Sequence, residues 1–291
     1  MKGITMMLAL VLWAGVGIAS AQAQSCDRCI LWVLQAKPCQ TECESSSDGL
    51  VSIRDGIARL AQYLDQTALS EPHALLFLDM VYRWFGGERY ADALKRYDQT
   101  SVARPGEANV LRLFRRLMDR ESPLDPQDLA TLTTDFDPLT ARALHCDRLD
   151  LGDDYVGQLL DFASQGGYPL THAALARAWL EENGCALNFP QGFEAGLIRD
   201  MAALIDLDMP VTDPEIETAA LLYALGHARR VPPGFIDRVL SVQGPEGGFR
   251  LTSASNEAPN FHTSVLAFWL LLQHACPSST KRQMIAEPGS R

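Results

Sequence analysis

The chain has 291 residues, of which 47% are hydrophobic, with 25 Lys plus Arg against 36 Asp plus Glu and a formal charge of −11. This is enough apolar material for one large domain or two small ones, and too much for a disordered chain. The acidic balance repels phosphate backbones and anionic membrane surfaces, which argues against nucleic acid or a membrane surface as a partner.

The first segment reads as a targeting signal. Met1-Lys2 is followed by an apolar run from Ile4 to Ile18 and then by Ala21-Gln22-Ala23, the small-x-small pattern of signal-peptidase cleavage. Residues 1–23 are therefore expected to be removed, and the mature protein to be periplasmic or secreted, with no membrane span after cleavage. The alternative is an uncleaved anchor, but the run falls short of the ~20 residues of a comfortable span. Residues 24–45 carry Cys26, Cys29, Cys39 and Cys43 as C-x2-C-x9-C-x3-C, expected to form a small helical hairpin stapled by two disulfides. Cys26–Cys43 with Cys29–Cys39 is one of three possible pairings, and a zinc knot is the alternative. Ser45 to Gly49 reads as a linker.

From 50 to 276 nearly everything has helical periodicity broken by Gly, Pro and Asp, with no sustained alternation of period two, so the domain is predicted all-α. The helices fall into six pairs. First members are predicted near 53–66, 88–99, 126–134, 154–165, 194–206 and 234–242, and second members near 72–85, 107–120, 138–148, 171–183, 214–228 and 261–275. Cys146 and Cys185 end two second members expected to be neighbours and are predicted to form a disulfide, leaving Cys276 odd. Residues 277–291 form a polar tail predicted to be flexible.

The second members share a pattern. His172 and His262 each follow a glycine pair with an aromatic residue (Gly166-Gly167-Tyr168 and Gly247-Gly248-Phe249), and each is followed seven residues on by Trp179 or Trp269. Glu217 lies midway, 45 residues from either His, and His73 opens an earlier helix in the same style. Six such hairpins either stack as an open solenoid or close into an (α/α)6 toroid. The charge-poor second helices fit a buried inner ring, which favours closure. The run Gln243 to Phe249 followed by Asn260-Phe261-His262-Thr263 resembles the repeat of the terpenoid cyclase and protein prenyltransferase superfamily, most specifically over 240–276. The resemblance implies an α/α toroid over 50–276 and His262 as a zinc ligand. The acidic cyclase motif and the Asp-x-Cys pair of the prenyltransferase zinc site are both missing from this sequence.

Parallel inner helices would bring His73, His172, Glu217 and His262 to one mouth, with Asn109 and Asp137 near the same level. Three imidazoles and a carboxylate suit Zn²⁺ or another divalent transition metal, with all four as ligands. Without metal, His172, His262 and Glu217 suit general acid and base catalysis. Tyr168 and Phe249 are expected at the rim, and Trp179 and Trp269 below it as a substrate floor or as core filling. Arg112, Arg115, Arg116 and Arg120 form a stripe expected to be solvated or ion-paired. No Walker loop, dinucleotide-binding or serine-hydrolase motif occurs. The expected function is that of a hydrolase or lyase acting on a small molecule or polysaccharide of the envelope. The alternative is a non-catalytic binding or scaffold module for a protein partner.

Overall fold

The computed structural model describes residues 48–67, 71–134, 136–278 and 280–288, together with 30 and 33–35. The signal segment, Cys26, Cys29, Cys39 and Cys43 lie outside the described residues. Of the expected hairpin Ile30, Val33, Leu34 and Gln35 are described: Ile30 and Leu34 are buried, and the Val33 carbonyl accepts from Arg89 (3.0 Å).

The described chain is all-helical, with two isolated bridges, Thr212 to Thr252 and Phe249 to Asn260, as its extended pairing. Twelve α-helices follow in pairs. These are α1 (Asp48–Thr67) and α2 (Pro72–Phe85); α3 (Ala93–Ala103) and α4 (Ala108–Phe114); α5 (Pro126–Ala130) and α6 (Asp137–Leu144); α7 (Tyr155–Ser164) and α8 (Gly167–Glu182); α9 (Phe193–Ala203) and α10 (Asp213–Ala224); α11 (Phe235–Ser241) and α12 (Phe261–Ala275). None is long and apolar enough to cross a membrane.

Burial separates the two sets. In α12 every residue from Thr263 to Gln273 is buried, whereas α7 buries Tyr155 and Leu159 alone and α3 only Ala93 and Tyr97. The even-numbered helices therefore form an inner layer and the odd-numbered ones a half-wet outer layer. Within the inner layer α12 packs between α2 and α10, α10 between α12 and α8, and α6 between α8 and α4. Arg83, at the end of α2, donates to the carbonyl of Leu117 just past α4 (3.3 Å).

Local chemistry fixes where the inner helices begin. Pro72, Pro138 and Pro214 sit in first turns, where a missing N–H costs nothing. Asn260 caps α12, its side-chain oxygen accepting from the backbone of His262 (2.9 Å) and Thr263 (3.1 Å). Before α10, the Glu215 carboxylate accepts from the backbone N–H and the hydroxyl of Thr212, both at 2.8 Å.

The disulfide Cys146–Cys185 is present and joins the chain beyond α6 to that beyond α8 (Cα–Cα 6.2 Å). Cys276 is not the odd thiol that was expected, because it too is disulfide-bonded. The arginine stripe is ion-paired: Arg112 to Asp128, Arg115 to Asp98 and Asp119, Arg120 to Glu287. Arg116 is wholly buried on Asp147. The tail expected to be flexible is packed over 280–288, with Met284, Ile285 and Ala286 buried.

Candidate functional site

Asp213 opens α10 and Glu217 follows four residues on, so both carboxylates share one helix face a turn apart. The start of α10 is held by the 251–253 loop: Asp213 N–H donates to the Leu251 carbonyl and Ser253 N–H to the Val211 carbonyl, both at 2.8 Å. The buried Asp213 carboxylate then accepts from Tyr168 of α8 (2.7 Å) and from Thr263 (2.5 Å) and His262 Nδ1 (3.2 Å) of α12. Three helix N-termini thus converge on one carboxylate.

Glu217 differs. It is 4% exposed, its Oε1 lies 4.0 Å from His172 Nδ1, and its Oε2 has no hydrogen-bond partner among the described residues. His172 Nδ1 is 2.9 Å from the Tyr168 carbonyl, an acceptor, so Nδ1 carries the ring proton and Nε2 keeps its lone pair in the neutral form. The Phe136 ring lies against this imidazole at 4.8 Å and 31°. Phe77 meets His262 edge-on, 6.4 Å between centroids.

The charge states follow from these contacts. Burial alone would raise the pKa of Asp213, but the hydrogen bonds from His262, Thr263 and Tyr168 outweigh it and hold the carboxyl below its ordinary range. Burial pulls His262 down, and the hydrogen bond and charge of Asp213, helped by Glu217, more than offset that and raise it. Burial pushes Glu217 up; His172, His262 and Thr171 oppose this, and Asp213 adds to it. The site therefore sets an Asp213–His262 pair, each partner favouring the charged form of the other, beside a Glu217 whose carboxyl burial shifts upward. His73 is open to water yet walled by protein. That enclosure and neighbouring His262 lower its pKa, against the pull of Asp137, Glu107 and Glu71.

Of the expected metal set, the structure brings together Glu217 and His262 and adds Asp213 to them; one donor atom from each lies within 4.8 Å of the other two. His73 and His172 stand outside that group. His172 is turned toward the Tyr168 carbonyl, and His73 enters from α2, on the other side of α12. Two carboxylates and an imidazole, one oxygen of them unpartnered, fit a divalent transition ion after closing to bonds of ~2.0–2.2 Å.

Tyr168 is present at the site, though as a donor to Asp213. Phe249 is no rim residue: it is 1% exposed, with its N–H on the Ser264 hydroxyl and its carbonyl accepting from Asn260. Trp179 and Trp269 are core filling and not an open floor, Trp269 packing against Phe77 and Trp84 and Trp179 against Phe114. Asp213 and Phe136 escaped the sequence reading. The 45-residue spacing that relates His172 to Glu217 also relates Tyr168 to Asp213, so Asp213 carried a usable signal; Phe136 carried none. Comparison with protein-family models, with curated proteins and with solved structures gives no match.

Proposed function

We propose that the six hairpins close as an (α/α)6 toroid of the terpenoid cyclase and prenyltransferase type, and that the chain is an exported hydrolase or lyase acting through its mouth. The small-x-small signal pattern and the Cys146–Cys185 disulfide support export. The unbroken order of inner helices supports closure, as does the mutual electrostatic influence of His73, Asp137, His262, Asp213 and Glu217, drawn from four inner helices.

The buried Glu217 Oε2, without a partner among the described residues although Thr171 bonds the same carboxyl, carries this reading. Leaving a buried carboxyl oxygen unsatisfied costs about 1–3 kcal/mol, which a ligand would recover, and of the unsatisfied buried atoms this one stands beside Asp213 and His262. Asp213, Glu217 and His262 would hold Zn²⁺ or another divalent transition metal. Such an ion supplies Lewis-acid polarisation of a substrate oxygen or an acidic bound water. His172, with its Nε2 lone pair free, moves the proton, while Tyr168 fixes both the His172 tautomer and the position of Asp213. Buried Met284, Ile285 and Ala286 close the other end of the inner layer, so substrate enters and leaves by one opening. That geometry suits a small envelope metabolite or the end of a glycan chain, with half-exposed Phe136 as a platform for a sugar ring.

Elemental analysis of protein purified without a His tag or chelator tests the reading, followed by calorimetric titration with Zn²⁺. About one metal per chain is expected, lost in Glu217→Ala and His262→Ala with little change in the melt. If neither method finds metal and both substitutions collapse the fold, the mouth is structural and a non-catalytic binding or scaffold module is the better description.

A further inference from the structure

At the opposite end of the inner layer, segment 280–288 is gripped through its backbone. The Glu182 carboxylate, ending α8, accepts from the N–H groups of Met284 (3.0 Å) and Ile285 (2.8 Å). Arg83, ending α2, donates to the Met284 carbonyl (2.7 Å). The Leu117 carbonyl past α4 accepts from Ala286 N–H (3.0 Å), and the Ala224 carbonyl ending α10 from Arg282 N–H (2.8 Å). The Met284 and Ile285 side chains are wholly buried. Where the segment crosses the end of α10 stands Gly226, at φ +81°. A Cβ there would come within 3.2 Å of the Lys281 nitrogen, so the floor is shaped for a passing backbone.

We propose that this end is a peptide-binding groove whose ligand is an extended Arg-x-Met-Ile-Ala segment, held in cis by the chain's own terminus and exchangeable. Its recognition groups sit at the ends of α2, α8 and α10 and at Leu117 just past α4, all outside the segment itself. Backbone hydrogen bonds supply affinity, and burial of the Met284 and Ile285 side chains supplies selectivity, as in recognition of extended peptides generally. The Glu182 carboxyl is dedicated to two consecutive backbone N–H groups, an arrangement that fixes the register of the segment. The groove is independent of the mouth chemistry and stands or falls without it.

The test uses the full chain with Ser279 replaced by a specific protease site and cut after folding, so that both pieces remain. A fluorescein-labelled peptide of residues 280–288 is then added and its anisotropy followed. The nicked protein is expected to take up the label by exchange, the uncut protein to take up none, and a Met284→Asp peptide to bind at least tenfold more weakly. Absence of uptake by nicked protein, or equal binding of the two peptides, overturns the proposal. Should nicking unfold the chain, Met284→Asp in the intact protein replaces it. Tryptic cleavage after Lys281 and Arg282 should quicken at least tenfold while the far-ultraviolet circular dichroism is kept, and an unchanged cleavage rate overturns the proposal equally.

Discussion

Glu217 and Glu182 mark opposite ends of the inner layer, and burial pushes both carboxyls above their ordinary range. Glu182 is answered by two backbone N–H groups; Glu217 Oε2 is answered by nothing among the described residues. The histidines repeat the contrast. His145, at the end of α6, is buried, pointed at the Leu113 carbonyl and crowded by Arg116, whereas His262 is raised by its pairing with Asp213. One end answers its buried carboxyl with two backbone N–H groups, and the other leaves one oxygen of its buried carboxyl unanswered beside the Asp213–His262 pair. How each carboxyl is answered, more than burial or charge, separates the end that stabilises from the end proposed to work.

Breaking the far end should cost most. In Glu182→Leu the N–H groups of Met284 and Ile285 lose their acceptor under a buried segment, with an expected loss of about 3 kcal/mol. Calorimetric melting should show a fall of several degrees, and a change below one degree would mean that the segment holds itself in place.

Acid should loosen the same end at a similar scale. Burial, abetted by Arg116 and Arg148, pushes His145 down to about 4 from an ordinary 6.5. A base whose folded pKa is depressed gives stability that is present above 6.5 and lost as pH falls toward 4, here about 3 kcal/mol when complete. His262, with its raised pKa, has the reverse linkage: its contribution is present below 6.5 and is lost as pH rises through the folded value. Urea unfolding of wild type and His145→Gln between pH 7.5 and 4.5 separates them, since the substitution should flatten the acid limb only.

Asn260→Ala is a smaller perturbation on the mouth side. Losing the cap of α12 should cost about 1 kcal/mol, and His262, whose backbone the cap fixes, should bind Zn²⁺ more weakly in calorimetric titration. An unchanged Zn²⁺ affinity would detach His262 from the metal reading.

Most of the architecture was legible because periodicity and punctuation are local. The predicted second members at 72–85 and 261–275 coincide with α2 and α12, and the others differ by a few residues at their ends. The site was half legible. Spacing picked out His172, Glu217 and His262 but not their rotamers, and it is rotamers that turn His172 to a carbonyl and pair His262 with Asp213. Asp213-Pro214 reads locally as an ordinary helix start, and only the partners arriving from α8 and α12 give it another meaning. The tail misled because Thr280 to Pro288 carries a run of only three apolar residues, Met284 to Ala286, among polar ones, and much of its anchorage runs through backbone groups that leave no pattern in the sequence. Phe249 misled for the opposite reason, since a glycine-rich turn can fold an aromatic ring inward as easily as out.

Glu217→Gln should have the smallest effect on stability and the most telling sign. A carboxyl that burial shifts upward, one of whose oxygens lacks a partner among the described residues, is replaced by a neutral amide of nearly the same shape, so the metal-free melt should stay level or rise, by less than about 1 kcal/mol. A residue kept at a structural loss is the signature of a site, and stabilisation on its removal is the expected trade-off. Metal loading reads the same proton from the other side. Zn²⁺ binding to wild type should release a proton that Glu217→Gln does not, visible as a buffer-dependent enthalpy in calorimetry. A lowered melt together with identical proton release would place Glu217 among the groups that hold the fold, and the two ends of the molecule would then no longer differ in kind.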